Sequence, residues 1–480
     1  MTISNASMKN LFLKSLYTFI IVEILSLLSF FYFPNIPIFF FIIVIMAAIA
    51  SLYKLEYGLY ILLAELFIGG KGYLFSLNVY GFPISIRMGI FFIIFAIWMA
   101  RKFPISNFQF PKKFLIPNSQ FLILFLFIVY GILNGLFRNA FGNVFFDANA
   151  WIFFLLIFVF LDTIKKENIQ NILTILFASV VWIGIKTAYV IFLFSRNFSF
   201  IGDPFYKWIR DTGVGEITSM GAGMYRIFFQ SHIYSLIAAA IILSLFFLGQ
   251  RPDKKSSLIA IIAFYFSTLS ILISQSRSFW VGGVGACIAL ICYALLIQKI
   301  QYKKILIFTL LFIVIIYSQL SIIKIITGNF GNFFSARLAN SEEEAAGSSR
   351  LNQIKPLFDG IKKHPIFGSG FGTKLAYKSN DPRVLKNNPD GMYTTYAFEW
   401  GYLDIWLKIG LVGLGIYLTI LFFTSKQLLL NSNIIQKSLF FGLLALAVTN
   451  IFSPYLNHPL GIGYILLVSS LVYNEDMKKQ

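Results

Sequence analysis

Charge is scarce in this chain, and so are cysteine and histidine. Only 12% of its 480 residues are Asp, Glu, Lys or Arg, where a soluble domain carries about 25%, so an ordinary water-soluble fold is excluded. Cys287 and Cys292 are the two cysteines; they lie five apart on one predicted helix, about 140° around its wheel. They cannot pair with each other, and no zinc-ligand spacing exists. The three histidines, His232, His364 and His458, fall in separate segments, and no D-x-D or H-x-x-x-H cluster is present to hold a cation. The expected chemistry is therefore independent of metals and of any cofactor. A phosphate-cradling loop is missing too, since "GGKG" at 69–72 lacks both the length and the Ser or Thr it requires. That excludes an ATP-driven pump of this type. There is no persuasive internal repeat and no matched pair of Gly/Pro-broken helices, which lowers a transporter reading. The acidic "SEEEAA" at 341–346 reads as a solvated helix start.

What the chain does have is apolar length. Hydrophobic residues make up 58% of it, and runs long enough to span a bilayer, about 17–25 residues each, recur from residue 11 to residue 473. They fall near 11–33, 36–53, 56–70, 84–100, 119–137, 148–163, 171–195, 225–249, 257–274, 279–298, 305–325, 397–423, 438–452 and 459–473. The third and the last are short enough to be re-entrant. The first is too long for a signal-peptide core and lacks a small-residue cleavage site, so it reads as a span. The expected fold class is an all-α polytopic membrane protein with about 12–14 transmembrane helices.

Short connections set the orientation, because Lys and Arg mark the cytoplasmic side. One alternate set carries Arg101, Lys102, Lys112, Lys113, Lys165, Lys166, Arg251, Lys254, Lys255, Lys299, Lys303, Lys304, Lys426, Lys437, Lys478 and Lys479. The other carries only Lys71, Arg138 and Arg277. Both termini are then expected in the cytoplasm, with the long segments 196–224 and 326–396 on the outer face. The chain divides accordingly into helices over 1–325, a large outer loop over 326–396, and helices over 397–480. Topology also accounts for the formal charge of +19, so nucleic acid is not an expected partner.

Within the outer loop, Leu351, Ile354, Leu357, Phe358 and Ile361 recur at helical spacing, predicting an amphipathic helix against the membrane face. Pro356 must sit in its first turn or kink it. His364-Pro365 and then Gly368, Gly370 and Gly372 end it in a tight turn. Beyond the loop, "EWGYLDIWLKIGLVGLG" at 399–415 carries Glu399, Asp404 and Lys408 into an apolar span. An ionised group in a bilayer costs roughly 2.5 kcal/mol or more, so each needs a partner, water or a role. Asp404 and Lys408 are spaced i to i+4 in the order that favours pairing. Glu399 is placed in the first turn of the helix, with no partner on it. It reads either as an acid complementing the helix dipole or as a catalytic base. Glu23, Glu65 and Lys186 are further intramembrane charges, available to pair among themselves.

These stretches together resemble the O-antigen ligase and polymerase superfamily of bacterial envelope glycosyltransferases. The run "SSRLNQIKPLFDGIKKHPIFGSGFG" from Ser348 looks like that family's Arg, amphipathic helix and His-Pro-x-x-Gly-x-Gly segment. "QSRSFWVGG" at 275–283 looks like its Ser-Arg helix start, and "YRIFFQSHIYSLIAAA" at 225–240 like its Arg-led helix. Leu403, Gly410 and Gly413 stand at the spacing of the helix after the large loop. The resemblance covers roughly the C-terminal half. Ligases of the family usually carry a His-Asn pair seven residues before the position of Trp406; here Glu399 and Trp400 stand in those places, which favours a polymerase over a ligase.

The resemblance implies a GT-C-like glycosyltransferase in the bacterial cytoplasmic membrane, acting on its outer face. It would transfer glycan from an undecaprenyl-pyrophosphate donor to an acceptor sugar hydroxyl, with inversion. Its expected partners are the lipid-linked oligosaccharide, the acceptor glycan, membrane lipids and a chain-length regulator. Glu399 would be the base. Arg277 and Arg226, each expected to begin a helix, would bind pyrophosphate through guanidinium forks, or else anchor the helix ends at the interface. Gln230, four residues after Arg226 on the same predicted helix face, and Arg350, opening the loop helix, complete the donor set, unless Arg350 only caps local structure. His364, Tyr393 and Asp404 are accessory positions, and His232 is expected to be a packed interior histidine. The alternatives are a ligase that passes the glycan to a lipid core or a protein, and a polyprenyl-linked glycan flippase.

Overall fold

The computed structural model describes residues 5–33, 36–102, 119–221, 223–249, 254–328 and 341–479. Lys112, Lys113 and Arg251, used above for orientation, lie outside the described residues. Seven helices among those described are long and apolar enough to cross a membrane, and an eighth is formed if Phe141–Ala148 and Trp151–Thr163, bent by 42°, count as one span. Four shorter apolar helices accompany them: Ile38–Tyr53, His232–Leu248, Ile434–Thr449 and Pro459–Tyr473. The protein is an all-α polytopic membrane protein, its described strands confined to three two-stranded hairpins.

The chain forms two compact units. The first comprises Met1–Gln109, Asp162–Ser335 and Leu430–Ala445, and the helix Ile169–Ser195 is its most enclosed span, with 72% of its apolar window buried. Asn5–Tyr32, Leu55–Ile68, His232–Leu248 and Lys254–Ser274 pack against it. In contrast, only 6% of the window in Tyr302–Thr327 is buried, so that helix turns its Leu306, Ile313 and Val314 outward, as a lipid-facing span must. The intramembrane charges are paired. Lys186 reaches Glu23 at 2.6 Å, whereas Glu65 is held by Arg87, whose Nε and Nη2 donate to its two oxygens at 2.7 and 3.0 Å.

One expected helix is partly a strand. Residues Met224–Phe229 pair antiparallel with Gly215–Gly221, with Arg226 opposite Thr218. Tyr225, Ile227, Phe228 and Phe229 are β-favouring types, and the left-handed Gly221 and Gly223 make the turn. The helix begins only at His232.

The second unit comprises Phe110–Leu161, Ala336–Leu429 and Leu446–Gln480. Residues 341–363 fold there as two consecutive helices, Ser341–Asn352 and Ile354–Lys363. Pro356 occupies the first turn of the second, where its missing N–H removes no helical bond. Leu357 and Ile361 bury against Phe398 and Leu407, with Trp400, Leu403 and Trp406 around them. The loop then re-enters protein rather than skirting it. Phe371 is fully buried, with its ring 5.7 Å from that of Trp151, which in turn lies 5.8 Å from Tyr417.

That entry is possible because the helix Gly401–Leu430 is broken at Gly410, where φ is 73° and ψ 179°. A break strands backbone groups that lipid cannot satisfy, and the glycine-rich loop takes them up. Ser369 and Gly370 donate their N–H groups to the carbonyls of Leu407 and Lys408 at 2.7 and 3.1 Å. In return Leu411 and Val412 donate to the carbonyls of Pro365 and Ile366 at 2.9 and 3.2 Å. After the break, residues 411–425 rise about 22 Å at 1.5 Å each before Lys426, most of the thickness of a hydrocarbon core. Asp404 and Lys408 precede that apolar length.

Candidate active site

Glu399 stands just before the helix, which starts at Gly401, so it is not a first-turn residue and has no fixed angle to Asp404 around the axis. Its backbone N–H donates to Gln353 Oε1 at 3.1 Å. Its carboxylate forms an ion pair with Arg350 Nε, both side chains being roughly two-fifths exposed, at 43% and 40%. The indole of Trp400 fixes the same corner by donating to the Arg350 carbonyl at 2.8 Å. Arg350, expected as a donor-binding residue, is thus the neighbour of the expected base.

Gln353 was not singled out by the sequence. It is buried at the junction of the two loop helices, and it also hydrogen-bonds the Tyr377 side chain. Burial pushes the Tyr377 hydroxyl above the ordinary phenol range, while the Gln353 bond pulls it back. Tyr377 lies opposite Tyr393 in the hairpin of Leu375–Lys378 with Met392–Thr395, the two rings meeting edge to face at 5.8 Å. Gln353 therefore links the backbone at Glu399 to the hairpin that carries Tyr393.

His364 caps the loop helix, and its Nε2 lies 2.7 Å from Arg138 Nη1. Arginine only donates, so Nε2 is the acceptor in this contact. Asp404 is buried and pairs with Lys408 at 2.8 Å, as the i to i+4 spacing predicted. Sequence reasoning missed the third member, Asp147, which also forms an ion pair with Lys408. Its signal was faint, an acid one residue outside a predicted span.

The first unit places its arginines differently from the expectation. Arg277 does begin a helix, Arg277–Leu296, and is exposed. Arg226 lies on a strand, donates from Nε to the Ser274 carbonyl at 2.9 Å, and lies over the Phe228 ring at 5.2 Å. Both arginines therefore meet at the turn 274–277. Gln275 between them is buried, adopts φ 47°, and has an Oε1 without a hydrogen-bond partner among the described residues. Non-glycine residues pay roughly 1–3 kcal/mol for such a backbone, and such outliers cluster at functional sites. Gln230 does not share a helix face with Arg226: it follows the strand, and its N–H donates to the Val214 carbonyl at 2.9 Å. His232 is an interior residue, accepting from the Phe229 N–H at Nδ1 and meeting Thr187 Oγ1 at 2.9 Å.

Residues 262–418 match the family model described as O-antigen ligase. Over that stretch, about a third of the chain, the sequence is similar to the O-antigen ligase family, which supports the resemblance to the ligase and polymerase superfamily. The matched stretch includes Arg277, Arg350, the glycine-rich loop, Glu399 and Gly410. No curated protein and no solved structure matches the chain.

Proposed function

We propose that the protein is a cell-surface polysaccharide polymerase that joins glycan repeat units carried on a polyprenyl pyrophosphate. The observation that carries this reading is the Glu399–Arg350 ion pair, half-exposed at the start of the broken helix within the stretch similar to the O-antigen ligase family. Glu399 removes the proton of the acceptor hydroxyl. The hydroxyl oxygen then attacks the anomeric carbon, and the glycosidic bond to pyrophosphate breaks with inversion. Arg277 and Arg226 stabilise the negative charge that grows on the leaving pyrophosphate, a task that guanidinium forks can perform without a metal. The site faces outward from the bacterial cytoplasmic membrane, with both termini inside. The carrier is needed there because cytosolic nucleotide sugars do not reach that face.

The test is a gel of products from purified protein given only a lipid-pyrophosphate-linked repeat unit, with chelator present. A ladder is expected, with the same yield as without chelator. Loss of the ladder on chelation would overturn the metal-independent mechanism. The ligase reading retains support from the description of the matched family; under it, the same gel stays blank until a separate acceptor is added.

Arg277→Lys keeps the charge but loses the bidentate fork. The expected result is a fall in elongation of about 10–100-fold, the scale of a lost charge-assisted hydrogen bond or two, with unfolding temperature unchanged. Full activity would remove Arg277 from pyrophosphate binding.

A further inference from the structure

Two carboxylates and one ammonium are enclosed together in the second unit. Lys408 donates to Asp404 at 2.9 Å and to Asp147 on the separate helix Phe141–Ala148. Further bonds support both carboxylates, while Asp404 Oδ1 meets the Lys408 ammonium as an ion pair at 2.8 Å and accepts no hydrogen bond among the described residues. Asn457 Nδ2 donates to Asp404 at 2.6 Å, and the Gly372 N–H donates to Asp147 Oδ2 at 2.7 Å. A buried ion cluster is tolerated only with close pairing and added hydrogen bonds of this kind.

Around this cluster, the loop helix Ile354–Lys363 and the short helical piece from Gly401 to Ile409 are strapped together at both ends. At one end Gln353 holds the Glu399 N–H. At the other, Ser369 and Gly370 bond the carbonyls of Leu407 and Lys408, and Leu411 and Val412 bond back. Leu357, Ile361, Phe398 and Leu407 fill the space between. The Lys408 ammonium ties the pair to Phe141–Ala148 through Asp147, and Asp404 ties it to the segment before Pro459–Lys479 through Asn457.

We propose that Lys408 is a positioning residue: through Asp147 and Asp404 it fixes the helical piece that Glu399 immediately precedes, and so sets the aim of the base, which pairs with Arg350 of the helix Ser341–Asn352, without touching substrate. The catalytic part of this inference rests on the polymerase reading; the mechanical part does not. Lys408→Met alone leaves two buried carboxylates facing each other and is a poor test. The informative variant combines Lys408→Met with Asp147→Asn and Asp404→Asn, which removes all three charges while keeping shape and the Gly372 acceptor. Asp404→Asn alone, which retains the Lys408–Asp147 pair, is the milder companion if the triple variant does not fold.

Amide hydrogen exchange and elongation kinetics are read on the full chain in detergent. Exchange at Ser369, Gly370, Leu411 and Val412 is expected to accelerate about tenfold or more in the triple variant and less in Asp404→Asn, while Ile420 and Leu421 keep their protection. Turnover at saturating lipid-linked repeat unit is expected to fall about 10–100-fold with KM within about twofold of the parent, the signature of misplacement rather than lost binding. Unchanged exchange and turnover in whichever variant folds would overturn the proposal. If the parent protein itself fails to elongate, the polymerase reading falls, and exchange alone decides whether the clamp exists.

Discussion

Glu399→Gln is expected to lower elongation by about 10²–10⁴-fold, the usual contribution of a positioned general base, with little change in unfolding temperature. The asymmetry follows from how Glu399 is held. Its fixed contact is the backbone N–H to Gln353, which the substitution leaves intact. The lost contact is an ion pair whose members are 40% and 43% exposed, and such pairs contribute only about 0–1 kcal/mol. A glutamine has nearly the same shape and can still accept a hydrogen bond from Arg350, but it cannot take a proton from a sugar hydroxyl. Kinetics and thermal unfolding on one preparation separate the two effects.

Near-normal elongation by that variant would remove Glu399 as the base, and the structure limits the substitutes. Asp404 is buried and held in an ion pair with Lys408, and its Oδ2 also accepts from Asn457. His364 Nε2 is occupied by Arg138. If Glu399 only complemented a helix end, its loss would cost a few tenths of a kcal/mol in stability and little activity. The expected pattern is the reverse.

Residues that answer to local spacing were legible in the sequence. The Asp404–Lys408 pair followed from i to i+4 spacing, the loop helix from its apolar period, and Arg277 as a helix start from the likeness of "QSRSFWVGG" to the family's Ser-Arg helix start. Partners distant in sequence were not. Arg350 was chosen for phosphate because a guanidinium matches that group, yet it meets an acid 49 positions downstream. Asp147 reaches Lys408 across 261 positions. Arg226 was misread because aromatic and β-branched residues at the edge of an apolar run suit a strand and a membrane helix equally. The break at Gly410 was hidden for a related reason: glycine is common in transmembrane helices, so "KIGLVGLG" reads as close helix packing, and only the returning loop shows that one glycine ends the helix.

Gly410→Ala is expected to be among the most damaging single substitutions in the second unit. At φ 73° and ψ 179° the backbone lies where essentially only glycine is found, at a cost of roughly 1–3 kcal/mol for another residue. An added Cβ would also overlap the Ile366 carbonyl oxygen and come within 2.5 Å of the Phe367 carbonyl carbon. Those are backbone atoms of the glycine-rich loop, which cannot turn aside as a side chain can. Displacing the loop would strand the carbonyls of Leu407 and Lys408 and the N–H groups of Leu411 and Val412, each at about 1–3 kcal/mol when buried. Several such losses approach the whole margin of a folded domain, about 5–15 kcal/mol. Gly415 supplies the control on the same helix, because a Cβ there meets nothing within 4 Å and alanine is the better helix former by roughly 0.5–1 kcal/mol. In detergent, Gly410→Ala should show a sharply lower unfolding temperature or no folded material, and Gly415→Ala should match or slightly exceed the parent. Equal stability of the two variants would mean that the helix runs unbroken through Gly410, and the glycine-rich loop would then have no backbone to complete.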